Sequence, residues 1–204
     1  NLEDVRSLER AICRYEIDTV FHLGAQTLEE TALSFPFDTL ESNVRGTYNL
    51  LEACRLHAEK IERIVLASSD KAYGSQSILP YHEEMPVQGT HPYDVSKSCA
   101  DLIALSYHKT YGLPLVIGRC ANIYGEGDLH WSRLIPGTIR SLYYEEPIVV
   151  RSDGTPIREY LYVKEAIDAY LKMGRLASEK EIQGQVFNFG PTEPASVLYI
   201  IDTL

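Results

Sequence analysis

Two short stretches of this sequence have the composition of a site that moves protons. Ser68-Ser69-Asp70-Lys71 places two hydroxyls, a carboxylate and an amine within four positions, directly after the apolar run Ile64-Val65-Leu66-Ala67. Tyr93 follows Gly74 by nineteen residues and opens Tyr93-Asp94-Val95-Ser96-Lys97, a Tyr-x-x-x-Lys spacing. On a helix those two side chains share one face. An ammonium beside a phenol favours the phenolate and lowers its pKa toward neutral, and such a tyrosine exchanges a proton with an alcohol. Each stretch alone is commonplace, since Ser-Ser-Asp also caps loops and helices. Together, each at the end of an α/β unit, they are much more specific.

The elements that must position them read as alternating helices and strands. Residues 4–15 keep helical spacing through Val5, Leu8, Ala11, Ile12 and Tyr15. Thr19–Ala25 is expected as a buried strand ending on small residues that let a ligand approach the backbone, with His22 packed inside it. A helix over 37–58 comes next, its stripe of Phe37, Leu40, Val44, Leu50 and Cys54 interrupted by Ser42 and Asn43. Polar groups inside a packed stripe need partners, so these two are expected to tie down the neighbouring strand end or face a ligand. The strand over 63–69 leads into a loop over 74–92 marked by Gly74, Pro80, Pro86, Gly89 and Pro92. A loop of that length is usually functional or mobile. A helix over 93–111 is expected to face the sheet with Val95, Cys99, Leu102, Ile103, Ser106 and Tyr107; Gly112 ends it, and Leu115–Cys120 is a further buried strand.

Such alternation implies parallel strands with helical crossovers. Beyond Gly125 the pattern loosens into a helix over 131–144 broken near Pro136-Gly137, a strand at Ile148–Val150, a turn at 152–156, a helix over 163–177, a strand at Val186–Gly190 and a helical start at 195–204. The expected fold is therefore α/β: a Rossmann-like doubly wound parallel sheet over 1–125 with a small α/β lobe over 126–204, helix 163–177 packing back on the sheet.

Composition narrows the function. The net charge is −10 over 204 residues, which argues against a nucleic-acid or anionic-membrane surface. No apolar run is long enough to span a bilayer. Cys13, Cys54, Cys99 and Cys120 show no metal-like spacing; all four are expected as buried free thiols in a reducing, cytoplasmic compartment, and no metal site is expected.

The chain resembles the extended short-chain dehydrogenase/reductase superfamily in its nucleotide-sugar epimerase/dehydratase branch. The resemblance rests on His22-Leu23-Gly24-Ala25, Asn43-Val44-Arg45-Gly46-Thr47, Ser68-Ser69-Asp70, Tyr93-x-x-x-Lys97, Arg119-x-x-Asn122-x-Tyr124-Gly125 and Asp153-Gly154 followed by Arg158-Glu159-Tyr160 and Val163. It covers essentially the whole chain. Members of that family begin with a Gly-rich turn that seats a pyrophosphate on a helix N-terminus. No such turn is present here, so the sequence reads as N-terminally truncated, short by about 60 to 70 residues, the size of a missing βαβαβ half.

The resemblance implies NAD as cofactor and a nucleotide-diphosphate sugar as substrate, with Tyr93 deprotonating the sugar 4-hydroxyl, Lys97 holding the ribose and Ser69 bonding the same oxygen. The fate of the oxidised sugar depends on the residues next to Ser69. A 4-epimerase needs only small apolar side chains there, whereas a 4,6-dehydratase carries an acid and a base to expel the 6-hydroxyl. Asp70-Lys71 resembles the pair of the CDP-glucose 4,6-dehydratase subgroup, with Lys71 acting either as base or as electrostatic stabiliser of the enolate. The favoured reading is a 4,6-dehydratase with catalytic Ser69, Asp70, Lys71, Tyr93 and Lys97. The alternatives are a 4-epimerase or reductase of the same superfamily, or a non-catalytic sugar-nucleotide binder. By the same resemblance Leu23, Gly24, Ala25, Ser42, Ser68, Tyr93, Lys97 and Ile123 are expected at the cofactor, and Ser69, Asn122, Arg133 and Arg158 at the substrate. Helices 37–58 and 93–111 are the candidates for a homodimer interface.

Overall fold

The computed structural model describes residues 1–204 and groups them into two units. The first comprises 1–119 and 170–188, the second 120–169 and 189–204. The chain thus leaves the first unit at Cys120, ahead of the expected boundary at 125, and re-enters it at Tyr170.

The first unit opens with α1 (Val5–Arg14), whose N-terminus is capped by Asp4: its carboxylate accepts from the Ser7 amide at 3.2 Å. Ile12 faces the core, whereas Cys13 lies on the outward face and is exposed, against the expectation of four buried thiols. Strand β1 (Thr19–His22) is shorter than the sequence suggests, because Leu23–Ala25 leave the sheet once the Leu23 amide turns back to the Phe21 carbonyl at 3.1 Å. It runs parallel to β2 (Arg63–Ser69), with Thr19 opposite Arg63 and His22 opposite Leu66.

After the short α2 (Glu29–Ser34), the expected helix over 37–58 is present as one continuous run, α3 (Pro36–Leu40), a wide π-turn at Glu41–Arg45 and α4 (Gly46–Leu56), with helical backbone at both junctions. The π-turn carries Ser42 and Asn43, the two polar residues that interrupt the apolar stripe, and an inserted residue of this kind often marks a functional site. Helix α4 closes the core with Leu50, Leu51 and Cys54 against Ile12 of α1 and Ile64 and Leu66 of β2.

After β2 comes a tight 3₁₀ turn at Asp70–Tyr73, the long loop, and α5 (Pro92–Tyr111), which ends at Gly112 with φ 70°. Helix α5 packs Ile103 and Tyr107 against the core as expected and departs from the expectation at Leu102 and Ser106. Its buried residues are Tyr93, Ser96, Lys97, Ser98, Ala100, Asp101 and Ala104, while Leu102 is 56 % exposed and Ser106 lies outside. The buried face thus carries polar side chains beside Ala100 and Ala104, possible because those polar groups have partners. Strands β3 (Leu115–Cys120, buried throughout) and, later in the chain, Val186–Phe189 complete a four-stranded sheet in which the strand of residues 186–189 lies beside β3 and β1 lies at the far edge. Continuous burial along β3 is what a sheet covered on both faces requires.

The second unit is built on short pairings. Strand β4 (Asn122–Tyr124) runs parallel to the strand Tyr160–Tyr162, Asn122 opposite Tyr160. Helix α6 (Leu134–Tyr143) is unbroken, since Pro136 falls in its first turn, where amides have no intrahelical acceptor, and the Gly137 amide already bonds the carbonyl of the capping residue Arg133 at 2.9 Å. Ile148–Val150 is no strand; the pairing passes to β5 (Ile157–Arg158), antiparallel to Ala195–Ser196. Next in order are β6 (Tyr160–Tyr162), α7 (Val163–Leu176), β7 (Val186–Phe189), β8 (Ala195–Ser196) and α8 (Val197–Thr203). From Tyr170 onward α7 counts with the first unit, where Gly174 lies against the Phe21 ring of β1. No helix is long and apolar enough to cross a membrane.

Candidate active site

The first unit gathers its polar side chains where β1 and β2 end. Lys97, buried in the first turns of α5, donates from Nζ to the Ala67 carbonyl at 3.0 Å, so its ammonium is anchored at the end of β2. A pocket there is lined by His22, Gly24, Ala25, Asn43, Thr47, Leu66, Ala67, Lys97 and Ala100. It combines a fixed cation with a floor of small residues.

Asn43 explains the π-turn. Its amide donates to the Gln26 carbonyl at 2.8 Å and to Ser96 Oγ at 2.9 Å, and its oxygen accepts from the Gln26 amide at 2.7 Å. Ser96 Oγ in turn donates to the Tyr93 carbonyl at 2.6 Å. The segment after β1, the π-turn and the first turn of α5 are thereby held as one assembly. Thr47 donates its only hydroxyl proton to the Asn43 carbonyl at 2.6 Å, so the 3.0 Å contact with His22 assigns the imidazole proton to Nε2. Burial first, and the Lys97 charge second, push the His22 pKa down to about 4. His22 is a neutral, hydrogen-bonded core residue of the pocket wall.

The second cluster is the turn after β2. Ser69 caps it: Ser69 Oγ accepts from the Lys71 amide at 3.2 Å and donates to Asp70 Oδ1 at 2.8 Å. Asp70 and Lys71 lie 3.9 Å apart, each side chain about one quarter exposed, so the pair is neither a fully solvated surface bridge nor buried. Ser98 of α5 ties this turn to the helix by donating to the Ala72 carbonyl at 2.8 Å, and it accepts from the Gly89 amide at 2.9 Å.

The long loop is not slack. The Gln88 amide reaches the Ala72 carbonyl at 3.0 Å, Tyr81 Oη the Gly74 carbonyl at 2.9 Å, and the Glu83 carboxylate takes the Asn188 amide at 2.8 Å. Gly74 at φ 63° faces the Gln88 carbonyl so closely that any Cβ would collide with it. Behind the turn, Arg119 of β3 pairs with Asp101 of α5 at 2.7 Å with both side chains essentially buried. Burial pushes the Asp101 carboxyl up against the pull of Arg119. Ser68 Oγ and Asp101 Oδ1 are buried without a full hydrogen bond, although the Ser68 hydroxyl stands close enough to favour the charged carboxylate.

Of the residues expected at the cofactor, Gly24, Ala25 and Lys97 line the pocket, and Tyr93 and Ser68 are buried beside its elements. Leu23 is exposed and Ser42 half-buried, neither among the lining residues. Ile123, Asn122, Arg133 and Arg158 belong to the second unit. There the Asn122 amide bonds the Glu159 carbonyl at 3.2 Å, Arg133 pairs with Asp128 at 3.0 Å, and Arg158 is exposed on β5 with its guanidinium on the Ile157 carbonyl at 2.8 Å. Sequence reasoning missed Gln26, Ser96, Tyr73 and Asp101. Only Asp101 carried a signal, lying one turn beyond Lys97 on the face already carrying Tyr93 and Lys97.

The chain matches a family model described as the NAD dependent epimerase/dehydratase family over residues 1–190. It is 30 % identical to the CDP-glucose 4,6-dehydratase of Salmonella typhimurium, with 100 % of this chain and 60 % of that protein covered. Among solved structures it superposes on a dTDP-glucose 4,6-dehydratase from Streptomyces venezuelae, bound to NAD, with a TM-score of 0.88 at 26 % identity, covering 100 % of this chain and 60 % of that one. It superposes equally, at TM-score 0.88 and 25 % identity, on the UDP-glucose 4-epimerase of Thermotoga maritima, covering 99 % of this chain and 64 % of that one. The chain thus spans about 60 % of the length of these relatives.

Proposed function

Because this chain belongs to the NAD-dependent epimerase/dehydratase family, we propose that the protein is a nucleotide-sugar 4,6-dehydratase acting on an NDP-hexose such as CDP-glucose. The observation that carries this reading is the half-buried Asp70–Lys71 pair at the tip of β2, 3.9 Å apart and capped by Ser69. An enzyme that only inverts C4 has no work for an acid–base pair at that position.

The residues around the pocket suit the ribose and nicotinamide half of NAD: Gly24, Ala25, Ala67 and Ala100 leave space, and the Lys97 ammonium can reach ribose hydroxyls. NAD held there would supply the hydride acceptor for oxidation at C4 and the hydride donor for C6. Tyr93, as phenolate, accepts the proton of the sugar 4-hydroxyl, and Lys97 stabilises that phenolate from one helical turn away. Ser69 turns its hydroxyl from Asp70 to the same sugar oxygen. The C4 carbonyl then acidifies the C5 hydrogen. The elimination needs one labile proton shared by Asp70 and Lys71, carried on the Asp70 carboxyl before the step. In that form Asp70 protonates the departing 6-hydroxyl and Lys71 takes the C5 proton, which restores the charged pair and releases water. Asn122, Arg133 and Arg158 bind the substrate's diphosphate and nucleotide, an arginine fork being suited to phosphate.

Two further parts complete the reading. The outer faces of α3, α4 and α5 expose Phe37 (71 %), Tyr48 and Leu102, which supports a homodimer formed through those helices. Four free cysteines suit a reducing, cytoplasmic setting.

The test is to incubate the complete protein and NAD with CDP-, dTDP-, UDP- and GDP-glucose. A 4-keto-6-deoxy sugar from one of them is the expected product. Only C4-inverted sugar would make the protein an epimerase, and binding of a sugar nucleotide without turnover of any of the four would leave a binding protein.

A further inference from the structure

Tyr73 ends the turn that carries Asp70 and Lys71, and its ring is completely buried. Four separate elements fix that ring. The Arg119 guanidinium of β3 lies 4.5 Å above its centroid, Tyr81 of the long loop stacks on it at 5.0 Å, its hydroxyl donates to Asn188 Oδ1 of β7 at 2.8 Å, and Asp101 of α5 holds Arg119 from behind at 2.7 Å. Arg119 Nη1 also reaches the Glu83 carbonyl of the loop at 3.5 Å. An aliphatic side chain could fill this space without the desolvation that a buried guanidinium entails. A planar cation on a phenol ring adds what an aliphatic contact lacks, a fixed ring plane. Because Tyr73 is covalently part of the 70–73 turn, its ring adds a side-chain anchor to a turn otherwise held through its backbone, by the Ser69 cap, by the Gly74 amide on the Lys71 carbonyl at 3.0 Å, and by the Ser98 hydroxyl and the Gln88 amide on the Ala72 carbonyl.

We propose that Arg119 and Tyr73 are positioning residues for the proposed elimination: stacked on each other, they hold the Asp70–Lys71 turn in register, while Tyr93 is tied through Ser96 to Asn43 and Lys97 through its own bond to the Ala67 carbonyl. This rests on the dehydratase reading. It separates two halves of one reaction, oxidation at C4 and loss of water across C5–C6, and assigns the stack to the second alone.

The experiment is a single turnover of the complete, NAD-loaded protein with the sugar nucleotide it accepts, following reduced-nicotinamide absorbance and keto product together. In Arg119→Lys, which keeps the charge beside Asp101 but loses the plane, and in Tyr73→Leu, reduced nicotinamide should form at the wild-type rate and then persist. Product should appear on the order of tenfold more slowly, as for a modest misplacement of reacting groups. Tyr73→Phe keeps the ring and should restore the product rate to within about twofold; it also keeps the test decisive if Tyr73→Leu does not fold. The proposal is overturned if both signals fall together, if neither changes in Arg119→Lys, or if Tyr73→Phe is as slow as Tyr73→Leu.

A second readout needs no substrate. Hydrogen exchange at the Lys71 and Gly74 amides should quicken in Arg119→Lys while the amide of Gln26 is unaffected; unchanged exchange at the turn overturns the positioning role on its own. If the wild-type protein makes no keto sugar, the functional reading fails first, and this exchange result alone decides whether the stack holds the turn.

Discussion

The polar residues of the first unit and those of the second are held in opposite ways. Asn43 uses both amide hydrogens and its oxygen inside the fold, Lys97 is anchored on the Ala67 carbonyl, and Asp101 and Arg119 are buried against each other. Arg158 of the second unit stands exposed on a two-residue strand and touches only the neighbouring carbonyl, and Arg133 is partly exposed beside Asp128. Groups that must meet a reacting atom within tenths of an ångström benefit from being fixed beforehand. Groups that grip a flexible diphosphate can be ordered by the ligand. The contrast predicts that changes in the first unit act on stability and rate, and changes in the second on substrate affinity alone.

The largest effect tests the fixed side of the contrast. Asp101→Ala leaves the Arg119 guanidinium buried without its carboxylate, and losing one partner of a buried pair costs about 3–5 kcal/mol. Urea denaturation of wild type and variant measures it. A loss below about 1 kcal/mol, the range of a solvated bridge, would mean that water reaches Arg119 and that the first unit is no more fixed than the second.

His22 gives a pH-dependent version. Its folded pKa of about 4 lies below the unfolded value of about 6.5. Between those values the unfolded chain binds the extra proton, so stability rises with pH. The contribution is fully present above about pH 6.5 and is lost as pH falls toward 4, a decline of about 3 kcal/mol. In His22→Gln that part of the profile should flatten relative to wild type, read as denaturation midpoints at pH 7, 6, 5 and 4. Parallel profiles would show that the imidazole is protonated inside the fold.

Asn43→Ala is expected to cost about 2 kcal/mol, because the Gln26 amide and carbonyl are left without their partner. The local readout is faster exchange of the Gln26 amide together with that of the first turn of α5, since Ser96 loses its link to the π-turn. An effect confined to Gln26 would sever the proposed connection from β1 to Tyr93.

The alternation of apolar runs marked the strands β1, β2 and β3 and helix α5 because each repeats one period over several residues. It placed Ile103 and Tyr107 of α5 rightly against the core but misjudged where burial is complete. Periodicity counts Leu102 and Val95 as inward, but Ser96, Lys97 and Asp101 are the buried ones, each with partners supplied by segments distant in sequence. The π-turn was legible only as an irregularity at Ser42 and Asn43; its cause, Gln26, lies seventeen residues earlier. Likewise the loop over 74–92 reads as functional or mobile from its length, glycines and prolines, and what holds it, Asn188 and Arg119, lies far along the chain. Ile148–Val150 failed for the complementary reason: three β-branched residues favour a strand locally, but Val149 is 77 % exposed and the pairing lies elsewhere.

The smallest expected change in stability is the sharpest test of the contrast. Arg158 has no carboxylate partner within ion-pair distance, and its contact with the Ile157 carbonyl lies at the surface, where substitutions act weakly on stability. Arg158→Ala should therefore leave the melting temperature unchanged. If Arg158 meets a phosphate of the substrate, the loss of a charge-assisted hydrogen bond raises KM by roughly tenfold to a hundredfold. The rate constant kcat should hold, since the contact is the same before and during reaction and removes only uniform binding. Arg158→Lys, which keeps a point charge without the planar fork, should fall between. A lower kcat at unchanged KM would place Arg158 among the groups that act on the reacting carbons, and the division between a fixed unit for chemistry and an adaptable one for binding would no longer hold.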